Sequence, residues 1–281
     1  MGRLDGKTVI VTGASSGIGL AIAKSLGAEG GNIVLNGRQR ENMDAAAKEI
    51  EAAGGKALVQ PGDVTDEKVV IGLVDAAVET FGALDVMVNN AGYNPFDTVI
   101  NGGDYAKWKE TLDVNVLALA LGCREAVRVM EGKGGHIVNI TSVAARSAEP
   151  DDPMYAASKH AAGALTESLR LALQGKNVRL TAIMPGAVAT NLVRSMPEEQ
   201  LFALGRMLGV DPEEAGISPG EHLPQEVLDR VATMGKAFVM SPQDVAQAVL
   251  FAVTMPESAH VNEIMMRPSQ PLQMPGMNLP A

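Results

Sequence analysis

The stretch that decides the fold runs from Thr8-Val9-Ile10-Val11 into Thr12-Gly13-Ala14-Ser15-Ser16-Gly17-Ile18-Gly19. Four successive β-branched residues read as a buried strand, and the Ala- and Leu-periodic segment from Ile18 to Glu29 reads as a helix. Glycines spaced by four and by two therefore stand where a strand hands over to a helix. The first backbone N–H groups of a helix lack intrahelical partners and carry the positive end of its dipole, so a glycine turn there can bring a pyrophosphate against them. A tight strand-to-helix turn without a ligand gives the same local pattern, and the rest of the chain has to decide between the two.

Working outward, the same alternation repeats along the 281 residues. Further strands are expected at Asn32 to Asn36, Ala57 to Gln60, Asp85 to Asn89, His136 to Thr141, Val178 to Met184 and Asn262 to Met266. Helices are expected between them at Arg40 to Ala53, Asp66 to Phe81, Asp104 to Met130, Pro153 to Gln174 and Pro242 to Thr254. Gly30-Gly31, Gly54-Gly55, Gly82 and Gly175 stand at helix ends, and Ser241 before Pro242 reads as a cap with proline at the first helical position. Strands joined through helices run parallel, because each crossover returns the chain to the same edge. The expected fold is thus α/β: one doubly wound, Rossmann-type domain over residues 1–281, with about seven parallel strands and helices on both faces. Asn191 to Lys236 breaks the alternation with prolines, glycines and apolar residues such as Met196, Leu201, Phe202 and Leu208. It reads as a structured loop or helical lid inserted in that domain, and 269–281 as a proline-rich tail.

Composition narrows the partners. The formal net charge is −10, which opposes general binding to nucleic acid or to an anionic membrane. No run of 18 apolar residues occurs, and the first strand starts too early for a signal segment to precede it. Gly6 stands where an N-myristoylation motif wants Ser or Thr. Cys123 is the one cysteine, so no intramolecular disulfide can form. A cytoplasmic location is expected. His136, His160, His222 and His260 show no compact ligand spacing, and no metal is expected.

The glycine spacing differs from GxGxxG and resembles the TGxxxGxG motif of the short-chain dehydrogenase/reductase family. The resemblance covers roughly Gly6 to Thr190, and further matches are Asp63-Val64, Asn89-Asn90-Ala91-Gly92, Asn115, Ser142, Tyr155 with Lys159, and Pro185-Gly186 followed by Thr190. It implies an oxidoreductase whose cofactor-binding residues are Gly13, Ser15, Ser16, Gly17, Ile18 and Gly19 in the phosphate loop and Asp63 and Val64 at the adenine. It also implies Asn90, Ala91 and Gly92, with Asn90 against the adenosine ribose. Pro185, Gly186, Val188 and Thr190 follow, the last two holding the nicotinamide carboxamide.

The choice of cofactor is read from the end of the second strand. An acidic residue there accepts hydrogen bonds from the ribose of NAD and repels a 2′-phosphate. This chain has Asn36-Gly37-Arg38 instead, and the Arg38 guanidinium suits a phosphate. NADP(H) is expected, with NAD(H) as the alternative; Ser16 stands where many NADP(H) relatives carry a basic residue.

Tyr155 and Lys159 are one helical turn apart, so both face the same way. A tyrosine with an unperturbed pKa of about 10 is a poor base near neutral pH, and a neighbouring ammonium favours the phenolate. Ser142, at the end of the fifth strand, could stabilise charge that develops on a substrate oxygen. By the resemblance, Asn115 completes the catalytic set, holding a water that relays protons by way of Lys159, while Tyr155 and Lys159 also touch the cofactor.

The resemblance places substrate among Tyr93 to Phe96, Val143 to Met154 and Asn191 to Lys236. Their apolar content points to a hydrophobic ketone, aldehyde or alcohol. It also implies a homodimer or homotetramer, through the Ala-rich helix from Pro153 and the helix bearing Asn115. Met265-Met266-Arg267-Pro268 departs from the glycine-rich ending of such relatives. The rival readings are an NAD-linked alcohol dehydrogenase on the same scaffold and a dinucleotide-binding regulator without turnover.

Overall fold

The computed structural model describes residues 2–100, 102–148, 152–192, 198–207, 210–213, 215–218, 220–221, 223–234 and 239–269. Met196, Leu208, His222 and the tail from residue 270 lie outside the described residues. The sheet contains β1 (Thr8–Val11), β2 (Asn32–Gly37), β3 (Lys56–Pro61), β4 (Val86–Asn89), β5 (Gly135–Ile140), β6 (Val178–Pro185) and β7 (Glu263–Met266). Their order is β3-β2-β1-β4-β5-β6-β7, and every neighbouring pair is parallel. The doubly wound sheet expected from the alternation is the one observed.

Side chains alternate across the sheet, as the strand period requires. Val9 and Val11 enter one core with Ile22 and Leu26 of α1 (Gly17–Ala28), Met43 and Ile50 of α2 (Arg40–Ala52), and Val245 and Val249 of a late helix, Pro242–Val253. Ile10 enters the other, with Leu73 and Val74 of α3 (Glu67–Phe81) and, from later helices, Cys123 and Ala162. Burial holds the lone thiol protonated, its pKa pushed up to about 12.

The helix expected over Asp104 to Met130 is present and unbroken from Tyr105 to Met130, with a π turn inside it. It runs as α4 (Tyr105–Leu112), a π turn at Asp113–Leu117 and α5 (Ala118–Met130). The long helix α6 (Pro153–Ala172) carries the Tyr155 and Lys159 pair. Two helices lie in the insertion, α7 (Glu198–Met207) and α8 (Gln225–Met234), and α9 (Pro242–Val253) follows. Ser241 caps α9 in a reciprocal box with Asp244, as the Ser-Pro signature suggested.

The chain's path to β3 and its return beside β1 puts a crevice between the C-terminal ends of β1 and β4, where ligands of such sheets bind. The glycine turn leaves β1 and Asn90-Ala91-Gly92 leaves β4 at that point. Ser142 and Pro185-Gly186 follow the neighbouring β5 and β6 on the same edge.

Candidate active site

The phosphate loop is held by a clamp. Thr12 Oγ1 accepts from Asn90 N–H at 2.9 Å and Ala91 N–H at 3.0 Å, while Asn90 Nδ2 donates to Thr12 O at 2.8 Å. The resemblance placed Asn90 against a ribose, but its carboxamide nitrogen is engaged in fixing the loop. Thr12, quoted in the motif and given no role by sequence reasoning, proves to be the centre of this clamp. Its position one residue before Gly13 is the signal that could have found it.

A cradle for phosphates needs room, and the glycines supply it. A Cβ at Gly19 would stand 2.3 Å from Gly13 O and 2.5 Å from Asn90 Nδ2, so only glycine lets α1 begin this close to the turn. Ser16, at the N-cap of α1, makes no side-chain cap. Gly17 lies against Thr190, whose Cγ2 would be 3.2 Å from a Cβ there. The two ends of the expected cofactor path, phosphate loop and carboxamide residues, are thus adjacent. Ser15 and Ile18 are half-buried in the same turn.

At the end of β2, Gly37 is buried and Arg38 exposed. A Cβ at Gly37 would meet Ser15 Oγ at 3.0 Å, so an acidic side chain at 37 would crowd the phosphate loop. Asp63 closes a turn by accepting from Thr65 N–H at 2.9 Å and Thr65 Oγ at 2.8 Å, which leaves Val64 buried beside Val70 and Ala118. These residues fit a dinucleotide: a glycine cradle at a helix start, an apolar adenine seat, and a cation at the ribose end.

The reacting centre is assembled on α6. Pro153 starts the helix, Tyr155 is half-buried on its first turn, and Lys159 Nζ stands 5.6 Å from the Tyr155 ring centroid. Lys159 is only 6% exposed, and burial drags its pKa down to about 8. That value lets the amine gain or lose a proton near neutral pH. Gly92 lies beside both Lys159 and Asn115: a Cβ there would be in ordinary contact, 3.8 Å from Lys159 Nζ and 3.6 Å from Asn115 Oδ1.

Asn115 sits buried in the π turn, and its side chain makes three hydrogen bonds. Oδ1 accepts from Tyr93 N–H at 2.9 Å, and Nδ2 donates to Tyr93 O at 2.8 Å and to Ser158 Oγ at 2.9 Å. Ser158 in turn donates to Tyr155 O at 2.7 Å. The carboxamide therefore braces the Gly92–Tyr93 loop against the turn of α6 that carries Tyr155 and Lys159. Tyr93 and Ser158, the partners that make this brace, were not singled out by spacing alone.

Ser142 begins a single 3-10 turn, Val143–Ala145, and is 8% exposed; its Oγ accepts from Ala144 N–H at 3.1 Å and lies 3.5 Å from Pro185 O. This turn packs on α6 beside Gly163, where a Cβ would be in ordinary contact with Ala145 Cβ at 3.5 Å. On β6, Pro185 is buried and Gly186 N–H donates to Met266 O at 2.8 Å, while Val188 bridges to Met240.

A dinucleotide cradle opening beside a buried lysine, a tyrosine and a serine defines a cofactor-dependent oxidoreductase. The short chain dehydrogenase family model matches residues 7–201, and the chain belongs to that family. It is 32% identical over 279 residues to Dehydrogenase/reductase SDR family member 11 of Bos taurus, covering 96% of this chain and 99% of that protein. It is 34% identical over 268 residues to Glycine betaine reductase ATRR of Emericella nidulans; the match takes in 95% of this chain but spans 19% of the longer protein.

Two solved structures share the fold. An alcohol dehydrogenase from the archaeon Thermococcus sibiricus, complexed with 5-hydroxy-NADP, has a TM-score of 0.75 at 25% identity, covering 95% of this chain and 99% of that one. A 7α-hydroxysteroid dehydrogenase complexed with NADH and 7-oxo glycochenodeoxycholic acid has a TM-score of 0.78 at 27% identity, covering 96% of each chain.

Proposed function

We propose that this chain is an NADP(H)-dependent carbonyl reductase or secondary-alcohol dehydrogenase acting on an apolar ketone, aldehyde or alcohol. The observation that carries the reading is the buried Lys159 ammonium beside the Tyr155 ring at the mouth of the glycine cradle. A binding module needs the cradle and has no use for this pair.

A nicotinamide cofactor held by Gly13, Gly17, Gly19 and Thr190 would supply the hydride for the carbonyl carbon. Tyr155 gives its phenolic proton to the carbonyl oxygen, and Ser142 Oγ donates a hydrogen bond to that oxygen as it becomes negative. Lys159 stabilises the phenolate left on Tyr155 and, with its pKa near 8, passes a proton back to it. Asn115 holds the geometry through Tyr93 and Ser158. Alcohol oxidation runs the same steps in reverse.

Preference for NADP(H) rests on Arg38 at an open position and on the glycine that replaces an acidic residue before it. The NADP-bound alcohol dehydrogenase is in keeping with this choice, whereas the NADH-bound hydroxysteroid enzyme favours the NAD(H) alternative. We further propose a cytoplasmic homo-oligomer and a lid role for the insertion. The test is consumption of NADPH and of NADH, followed by absorbance, over a panel of apolar ketones and aldehydes and then, in reverse, alcohols. Turnover with NADPH preferred supports the reading; faster turnover with NADH overturns the cofactor choice, and none with either cofactor in either direction overturns the enzyme.

A further inference from the structure

The insertion has a core of its own. Ala189, Leu201, Val210, Ile217, Leu223 and Val227 are buried together, with Phe202, Ala215, Leu228 and Val239 packed against them. Among the described residues, Phe96 is the one member of this cluster from outside 189–239. It comes from the loop after β4 and packs, partly buried, against the insertion's core.

Phe96 also holds an unusual backbone conformation, with φ at +48°. A side chain disfavours that region, and such a residue persists where its surroundings over-determine it. Here they do. Asn94, itself buried, accepts from Phe96 N–H with Oδ1 at 3.0 Å. Asp97 Oδ2 then accepts from Asp104 N–H at 2.7 Å and Trp108 Nε1 at 2.9 Å. On the near side, Tyr93 is clamped to Asn115, and Gly92 abuts Lys159. A braced strap thus runs from the reacting groups to an aromatic plug in the insertion.

Among the described residues, further hydrogen bonds hold the insertion locally. Ala189 N–H donates to Met240 O and Met240 N–H to Ala187 O, both at 2.9 Å, pairing its two ends beside Thr190, and Leu223 N–H donates to Asn191 Oδ1 at 2.7 Å.

We propose that Phe96 is the anchor that seats the 189–239 insertion over the reacting groups, and that it thereby sets the affinity of the site for its carbonyl substrate. The kinetic part rests on the function proposed above; the anchoring part does not. Phe96→Gly removes the ring while relieving the φ strain, so the loop itself is not penalised. Phe96→Leu keeps an apolar plug.

The experiment uses the full chain with two readouts. Trypsin cleavage after the exposed Arg206 of α7 and Arg230 of α8 should speed up several-fold in Phe96→Gly and return toward wild type in Phe96→Leu, while cleavage elsewhere in the chain keeps its wild-type rate. In NADPH-dependent reduction of the best ketone in the panel, Phe96→Gly should raise the ketone KM about tenfold, with kcat and the KM for NADPH changed far less. Wild-type cleavage rates in Phe96→Gly overturn the anchor, as does acceleration spread over the whole chain. An unchanged ketone KM overturns its role in affinity. A wild-type enzyme without turnover counts against the proposed function, and the cleavage rates still decide the anchor.

Discussion

Asn115 and Tyr93 are joined by a reciprocal pair of hydrogen bonds, 2.9 Å into the carboxamide oxygen and 2.8 Å out of its nitrogen. The pair ties the loop after β4 to the π turn, and Ser158 extends it to α6. Replacing Asn115 by Asp keeps the acceptor and removes both donations. We expect Asn115→Asp to cost about 1–3 kcal/mol of stability, from a buried carbonyl left without its donor, and to lower kcat more than it raises KM. Urea denaturation and steady-state kinetics check this; a fall in KM performance alone would assign Asn115 to substrate binding.

Burial of Lys159 opposes its charge, and that opposition is a stability cost. Its pKa falls from 10.5 unfolded to about 8 folded, so between those values the unfolded chain binds more protons and stability rises with pH. Below about pH 8 the full cost, roughly 3 kcal/mol, is present. Lys159→Met should therefore melt higher than wild type at pH 7, by an amount that shrinks toward pH 10, while turnover is lost. Thermal melts of the cofactor-free proteins across that range measure it.

His136 on β5 gives a pH signature of the same sign at acid pH. Burial, then the charges of Arg179 and His260, pushes its pKa from 6.5 to about 3, and its Nε2 lies 2.7 Å from Thr181 Oγ1. The unfolded chain takes up a proton below pH 6.5 that the folded chain refuses until about pH 3, so stability is lost as pH falls through that window. From pH 6.5 to 5 the loss attributable to this residue is about 2 kcal/mol. His136→Gln should flatten the acid limb of the stability profile by that much, as denaturant midpoints at several pH values would show.

Arg38 and Gly37 carry the cofactor choice. Arg38→Ala should lower kcat/KM for NADPH about ten- to hundredfold and leave NADH nearly unchanged, the scale of a charge-assisted contact. Gly37→Asp should lower NADPH use further, by repelling the 2′-phosphate and pressing on Ser15. Equal performance with the two cofactors in wild type and Arg38→Ala would remove the basis for the assignment.

The fold was legible because strands and helices alternate with glycine punctuation, and each strand lies within about two residues of its expected limits. The helix through Asn115 was legible in extent, but the π turn inside it was not. Nothing in the local sequence forbids an α-helix there, and the π turn brings Asn115 to Tyr93 and Ser158, partners distant in sequence. Tyr155, Lys159 and Ser142 were legible from spacing, whereas the Thr12 to Asn90 clamp depends on β1 and β4 being neighbours. The insertion's periodicity was hidden because its short helices pack on each other and on Phe96 rather than on the sheet.

The central claim is that Tyr155 transfers the proton in a reaction whose cofactor seat is separate from it. Tyr155→Phe keeps the ring beside Lys159 and removes only the hydroxyl. Its NADPH affinity, from fluorescence titration, should stay within about threefold of wild type while single-turnover reduction falls at least a thousandfold. Single-turnover reduction near the wild-type rate would contradict the account.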